Sequence, residues 1–377
     1  MLSQDTVDAP LDSGEISLKL QWAVSIIAIL LLCACSRSAS HSSSNSPSVS
    51  KAHGVVVVCI DALRADHVTS DLMPNLSDLA HESASFRRAY SNAPWTIPSI
   101  ASVFTGTYPS YHGLNVESHL VALRGLEIRT DILTIAEMLA QHDFMTAAFF
   151  THGPLGPKLG FSRGFKIYGE IERVDGHDIV QISERVREFL EHAQQPFFLY
   201  LHTFEAHLPD TSGSYQGDLR YLDQELERLF TLVKEHAETL IVFSDHGEDI
   251  SRPERRHGFD LTDELLHVPL LIGGTGIVPA LVNQPVQLVD LKPTIADRVG
   301  LDKFSVGPGQ GRSLLPFVRG ETVPPVPIIA EAPLQGPGWL RIAWMDFALV
   351  LRPDNQSRDH WWWKKPKGPK REFIRWP

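Results

Sequence analysis

From Gly54 onward, short apolar β-branched runs alternate with stretches of helical periodicity, and this alternation constrains the fold more than any other feature of the chain. The runs GVVVVCI (54–60), MTAAFF (145–150), FFLYL (197–201) and TLIVFS (239–244) carry almost no polar residue, the pattern of strands covered on both faces. Between them, MPNLSDLAHES places Pro74 in a first helical turn, and Thr134 with Glu137 forms a capping-box pair ahead of Ile135, Met138 and Leu139. Ile179, Ile182, Val186 and Leu190 line one helix face, and Leu219, Leu222, Leu226, Leu229 and Val233 line another. Repeated strand–helix alternation predicts an α/β fold: a doubly wound, mostly parallel sheet with helices on both faces.

In such a sheet ligands bind beyond the carboxyl ends of the strands, so polar residues placed there converge although they are distant in sequence. Asp61 follows the first run, His202, Glu205 and His207 follow FFLYL, and Asp245 with His246 follows TLIVFS. The stretch APWTIPSIASVFTG (93–106) adds Thr96 at the start of a buried helix. There the hydroxyl can cap the first turn, or it can act as a nucleophile at the positive end of the helix. Together these positions describe a metal site facing an oxyanion.

The bulk composition sets limits. The chain has 377 residues, 43% hydrophobic, enough for one large core with a smaller appendage, and a net charge of −11, which excludes a general affinity for nucleic acid. Residues 22–34, WAVSIIAILLLCA, are apolar but too short to span a bilayer as a helix of about 20 residues. They read as the core of a signal peptide occupying residues 1–35. Leu32-Cys33-Ala34-Cys35 resembles a bacterial lipobox, which implies export, lipidation at Cys35 and a membrane-anchored protein of the cell envelope. The Ser-rich segment 36–53 reads as a flexible tether. Cys59 is then the single cysteine of the mature chain, so packing and not a disulfide must stabilise it.

Seven segments in order carry a family resemblance: IDALRADH (60–67), APWTIPSIASVFTGTYPSYHG (93–113), LYLHTFEAHLP (199–209), FSDHGED (243–249), HGFDLTDELLHVPLLI (257–272), VQLVDLKPTIADRVGL (286–301) and GRSLLP (311–316). This series resembles the sulfatase family of the alkaline phosphatase superfamily over about residues 54–320, the expected catalytic domain. The resemblance implies that Asp61, Asp245 and His246 are metal ligands and that Thr96 occupies the nucleophile position, adjoining the metal. It implies substrate contact by His207, a place near the leaving group for His257, and oxygen contact by Asn115. His202 reads as a further substrate-binding candidate or as a support of the loop, and Glu205 as a neighbour of the ligands. IIAEAP (328–333) and LRIAWMDFALVLRP (340–353) resemble the small sheet that closes sulfatases, within a C-terminal region spanning 321–377. The basic, aromatic tail 359–377 lacks helical periodicity and reads as an irregular terminus, with contact to anionic lipid as the functional alternative.

Three departures shape the functional expectation. Sulfatases of the usual mechanism oxidise a Cys or Ser to formylglycine, but the β-carbon of Thr96 bears a methyl group and cannot become an aldehyde. Ile100 stands where the family has an Arg, and Ala62 where a second Asp often follows the first ligand. A plain alkoxide suits phosphoryl transfer, because water can attack phosphorus and regenerate the hydroxyl. The expected activity is hydrolysis of phosphate or sulfate esters of small molecules, glycans or lipids through a covalent Thr96 intermediate. His257 or His207 would protonate the leaving alcohol. An envelope phosphotransferase and a non-catalytic binding protein are the alternatives. The Asp245-His246 pair favours zinc or manganese over calcium or magnesium. One metal is expected, with a second on Glu205, His207 and His257 as the alternative.

Overall fold

The computed structural model describes residues 53–115, 126–151, 153–172, 178–207, 214–252, 256–302, 306–331, 339–344, 347–352 and 370–375. The signal-peptide, lipobox and tether readings therefore fall outside the described residues. No helix among the described residues is long and apolar enough to cross a membrane.

In chain order the first part comprises β1 (Gly54–Ile60), α1 (Pro74–His81), β2 (Ala84–Phe86), β3 (Ala89–Tyr90), α2 (Thr96–Thr105), α3 (Pro109–His112), α4 (Ile135–Ala140), β4 (Met145–Phe150) and β5 (Ile167–Glu170). There follow α5 (Ile179–His192), β6 (Phe197–Thr203), α6 (Tyr215–His236), β7 (Thr239–Phe243), α7 (Asp263–Leu266), β8 (His267–Val268), β9 (Leu270–Gly274), β10 (Ala280–Val282) and β11 (Val286–Gln287). The last elements are α8 (Leu291–Arg298), α9 (Leu315–Val318), β12 (Ile328–Glu331), β13 (Leu340–Trp344), β14 (Phe347–Arg352) and β15 (Lys370–Arg375).

The central sheet has eight strands in the order β10-β2-β9-β7-β1-β6-β4-β5. All neighbours are parallel except at β9, which runs antiparallel to both β7 and β2. The doubly wound, mostly parallel architecture is thus the one expected, with a reversed strand that alternation alone does not reveal. β1 shows why the central runs are continuously apolar. Val55, Val57 and Cys59 enter the core shared with α2, α4 and α8, while Val56, Val58 and Ile60 enter the core shared with α1, α5 and α6. Period-2 alternation therefore buries every residue, because both faces are covered.

Local signals set the helix starts. Pro74 stands in the first turn of α1. At α4 both arms of the Thr134–Glu137 capping box are made, with Glu137 N donating to Thr134 Oγ1 at 3.1 Å and Thr134 N to Glu137 Oε2 at 2.9 Å. A smaller antiparallel sheet, β12-β13-β14-β15, follows at the C-terminal end. Part of the tail is therefore regular, contrary to expectation: Lys370–Arg375 pairs with β14. A strand requires only a partner edge and shows no helical periodicity, so the helix-based reading missed it.

Candidate active site

β1, β6 and β7 are adjacent and in register, with Cys59 opposite both His202 and Phe243. Their carboxyl ends bring Asp61, the segment after Thr203, and Ser244–Glu248 to one edge. α2 delivers Thr96 to the same place from the face of the sheet that holds Cys59. The helix is bound to the β7 loop by Ser99 Oγ, which donates to the Asp245 carbonyl at 2.7 Å.

Thr96 does not cap its helix. Trp95 is the N-cap residue without any side-chain cap, and Thr96 is the first helical residue. Its hydroxyl instead donates to Asp61 Oδ2 at 3.4 Å and lies 3.3 Å from His246 Nε2. Asp61 Oδ1 is 3.4 Å and Asp245 Oδ2 is 3.7 Å from that same nitrogen. The His246 ring is fixed by its Nδ1, which donates to the Gly247 carbonyl at 2.8 Å and so turns Nε2 toward the carboxylates.

Burial sets the charge states here. Asp61, Asp245, His202 and His246 are all fully buried. Burial raises Asp61 to about 6, opposed by His246 and His257. Burial, reinforced by the charge of Asp61, raises Asp245 to about 7. Burial lowers His246 to about 4, which keeps its imidazole neutral. Asp61 Oδ1 and Asp245 Oδ2 accept no hydrogen bond from the described residues. Two desolvated carboxylate oxygens beside a neutral imidazole nitrogen form an incomplete electrostatic arrangement, and a divalent cation fits it. The ligand atoms of Asp61, Asp245 and His246 lie within 4.8 Å of one another, and their O, O, N donor set suits zinc or manganese.

The other predicted residues divide. His257 is half-buried and its Nδ1 lies 3.2 and 3.3 Å from the two carboxylate oxygens of Glu248. Burial opposes protonation of His257, but Glu248 outweighs it and raises its pKa. The rings of His207 and His246 lie 4.7 and 4.6 Å from the His257 ring, and His207 stacks on Phe204 at 4.1 Å. The structure thus brings His207 and His257 together beside the ligand cluster. His202 is a different case. It lies inside β6, fully buried, with Nε2 3.1 Å from Asp61 Oδ2 and Nδ1 2.8 Å from the Tyr200 hydroxyl. Both nitrogens are engaged within the protein, at Tyr200 and at Asp61, the arrangement of a residue that supports the Asp61 carboxylate. Asn115 is exposed beyond α3, and among the described residues no hydrogen bond joins it to the cluster.

Glu205 does not reach the cluster either. Its Oε1 accepts from the backbone N–H groups of Asp178 and Ile179 at 2.9 and 2.5 Å and so neutralises the start of α5. A second metal on Glu205, His207 and His257 gains no support from this arrangement. Cys59, His202 and Asp245 also cluster within 4.8 Å, but burial pushes the Cys59 thiol well up and the His202 nitrogens are already engaged. Ile100 is wholly buried in the core, so the position where the family has an Arg contributes packing here. Ala62 adopts a left-handed backbone with φ 59°, which lets its N–H donate to Asp245 Oδ1 at 3.3 Å. Sequence reasoning missed Glu248. Its signal was the acid directly after the Asp245-His246-Gly247 run.

The sequence and the fold are both similar to those of known proteins. Residues 53–301, more than half of the chain, match the family model described as "Sulfatase". A choline-sulfatase of Rhizobium meliloti (strain 1021) is 35% identical over 112 residues, covering 28% of this chain and 22% of that protein. A phosphopentomutase of Erwinia tasmaniensis is 36% identical over 101 residues, covering 27% of this chain and 23% of that protein. The matched region thus spans under a quarter of the length of these curated relatives. Among solved structures, a Bacteroides thetaiotaomicron protein whose name ties it to the metabolism of multiple glycosaminoglycans superposes with TM-score 0.69 at 17% identity, over 86% of this chain and 90% of that one. The phosphonate monoester hydrolase of Agrobacterium radiobacter superposes with TM-score 0.68 at 15% identity, over 86% and 89% of the two chains. At these identities the solved structures speak for the fold.

Proposed function

Because the chain belongs to the sulfatase family, we propose that it is a metal-dependent hydrolase that cleaves phosphate esters, and less readily sulfate esters, through a covalent intermediate on Thr96. The observation that carries this reading is the Thr96 hydroxyl, freed from capping and set 3.4 Å from Asp61 Oδ2 and 3.3 Å from His246 Nε2 at the start of a buried helix. Asp61, Asp245 and His246 would hold the metal. When bound, zinc or manganese would lower the pKa of a coordinated hydroxyl and neutralise the ester oxyanion.

The residues of the chain divide the remaining work. Thr96 Oγ, its proton released to solvent and regained from solvent when the hydroxyl is restored, attacks phosphorus in line, forming a P–O bond while the ester P–O bond opposite it breaks. His257, held protonated by Glu248, donates its proton to the departing alkoxide. The same imidazole, now neutral, then accepts a proton from the water that attacks phospho-Thr96, releasing phosphate and restoring the hydroxyl. Phosphorus is favoured over sulfur because a threonyl ester must be resolved at the central atom, the aldehyde route being closed to a β-carbon that bears a methyl group. The lipobox-like Leu32–Cys35 supports an exported, membrane-anchored location.

The test is a panel of aryl phosphate monoesters, diesters and sulfates with zinc, manganese or calcium, combined with intact-mass detection of the phosphorylated protein. Turnover with a transient gain of one phosphoryl group, absent in Thr96→Ala, is the expected result. Full activity in Thr96→Ala would remove Thr96 from the reaction.

A further inference from the structure

We propose that Glu248 is the positioning residue for His257, fixing the ring so that Nε2 faces the leaving oxygen; the inference rests on the hydrolase reading above. Ionised Glu248 can only accept, so with it in that form the nitrogen facing it, His257 Nδ1, carries a proton. That leaves Nε2 on the opposite edge of the ring as the atom that gives and takes the reacting proton.

The backbone holds this pair on both sides. Arg64 Nη1 donates to the Glu248 carbonyl at 3.0 Å, and Gly247 N donates to the Leu265 carbonyl at 2.8 Å. Arg64 is itself held by Asp66 through two bonds of 2.9 and 2.7 Å. On the far side of the loop Asp249 N donates to the Arg256 carbonyl at 2.6 Å, bringing the residue before His257 against the residue after Glu248. Gly258 N then donates to the Pro94 carbonyl at 2.8 Å, two residues ahead of Thr96. His257 is therefore tied to Glu248 by its side chain and to the nucleophile segment by the next peptide. Glu248 is 1% exposed, while the His257 side chain keeps 20%. The orienting group is thus shut away from solvent and the oriented group is open to it. A buried acid that served stability alone would need a partner, but not one that is packed against His246 and keeps part of its ring open to solvent.

The test compares Glu248→Ala and Glu248→Gln on aryl phosphate esters whose leaving groups range from p-nitrophenol to phenol and a simple alkanol. A nitrophenolate departs without a proton and an alkoxide does not. Glu248→Ala is expected to lower kcat for the alkyl ester about 10²-fold, with a far smaller loss for the nitrophenyl ester. Glu248→Gln, which keeps an acceptor oxygen, should recover part of the difference. Adding Glu248→Ala to His257→Ala should cost nothing more. Equal losses across the leaving groups, or additive losses in the double variant, would overturn the proposal.

A second readout is independent of turnover: long-range ¹H–¹⁵N correlation of the His257 ring. The wild type should show the Nδ1–H form when neutral, shifting toward Nε2–H in Glu248→Ala. Failure of the wild type to hydrolyse any ester would defeat the hydrolase reading. An Nε2–H ring in the wild type would defeat this one.

Discussion

Replacing Asp245 by Asn should make the metal-free protein more stable at neutral pH and the metal-loaded protein less so. The side chain is fully buried, and its Oδ1 accepts from the backbone N–H groups of Ala62 and His246 at 3.3 and 3.0 Å, bonds that an Asn carbonyl keeps. What changes is the charge at Oδ2, which has no hydrogen-bond donor among the described residues. Burial and the neighbouring Asp61 raise Asp245 from 3.8 to about 7, equivalent to an upper limit of about 4 kcal/mol once the group is ionised. A carboxyl whose folded pKa is raised binds its proton more tightly in the folded than in the unfolded state, so its contribution falls as pH rises from about 4 to about 7. Relative to wild type in a chelator, Asp245→Asn should therefore be neutral near pH 4 and stabilised by up to about 4 kcal/mol near pH 8. In saturating zinc or manganese the order should reverse, because the variant lacks a charged ligand and gains less from RT ln(1 + [L]/Kd). Urea unfolding followed by circular dichroism, at several pH values with and without metal, measures both differences. A chelated variant less stable than wild type at pH 8, or a metal response equal to that of wild type, would refute the reasoning.

Further changes probe the scaffold around the site. Thr134→Ala removes the side-chain arm of the capping box on α4, leaving the bond from Thr134 N to Glu137, and should cost about 1 kcal/mol in urea unfolding. Gly247→Ala should abolish activity and lower the melting temperature, because a Cβ there would lie 2.0 Å from the Glu264 carbonyl oxygen. Ala62→Gly relieves a left-handed alanine and should raise stability by no more than about 1 kcal/mol while weakening metal affinity, measurable by calorimetry, as the loop loosens. Leu226→Ala, on the buried face of α6, should cost about 2–5 kcal/mol and leave the metal content of the folded protein unchanged.

Most of the architecture was legible because its signals are local or periodic. The β1 run and the faces of α5 and α6 needed only their own side chains to be read. The reversed β9 and the strand Lys370–Arg375 were not legible, since direction and pairing belong to the sheet and not to the segment. At the site, Asp61, Asp245 and His246 could be placed together from strand ends alone. His202 could not be assigned, because a histidine at a strand end looks the same whether it points at substrate or backs a carboxylate. Only its bonds to Asp61 and Tyr200 distinguish the two. Glu205 carried the same ambiguity, and its Oε1 is taken up by the start of α5.

The site departs from local stability rules in several places at once, and the departures concern one charge. Thr96 begins α2 without capping it, Ala62 holds a left-handed backbone, and Asp61 and Asp245 each keep a buried oxygen without a donor among the described residues. Each of these disfavours the metal-free fold by an amount of order 1 kcal/mol or more. The surroundings hold the geometry regardless. Leu63 N donates to Ser244 Oγ at 2.9 Å, Ser244 Oγ to the His246 carbonyl at 2.6 Å, and the Tyr215 hydroxyl to the Ala62 carbonyl at 2.8 Å. The loops after β1 and β7 are therefore fastened to each other by bonds that do not involve a cation. The attraction that a cation would gain is then not spent on ordering them, and the same rigidity keeps the Thr96 hydroxyl at the point where the negative charge converges.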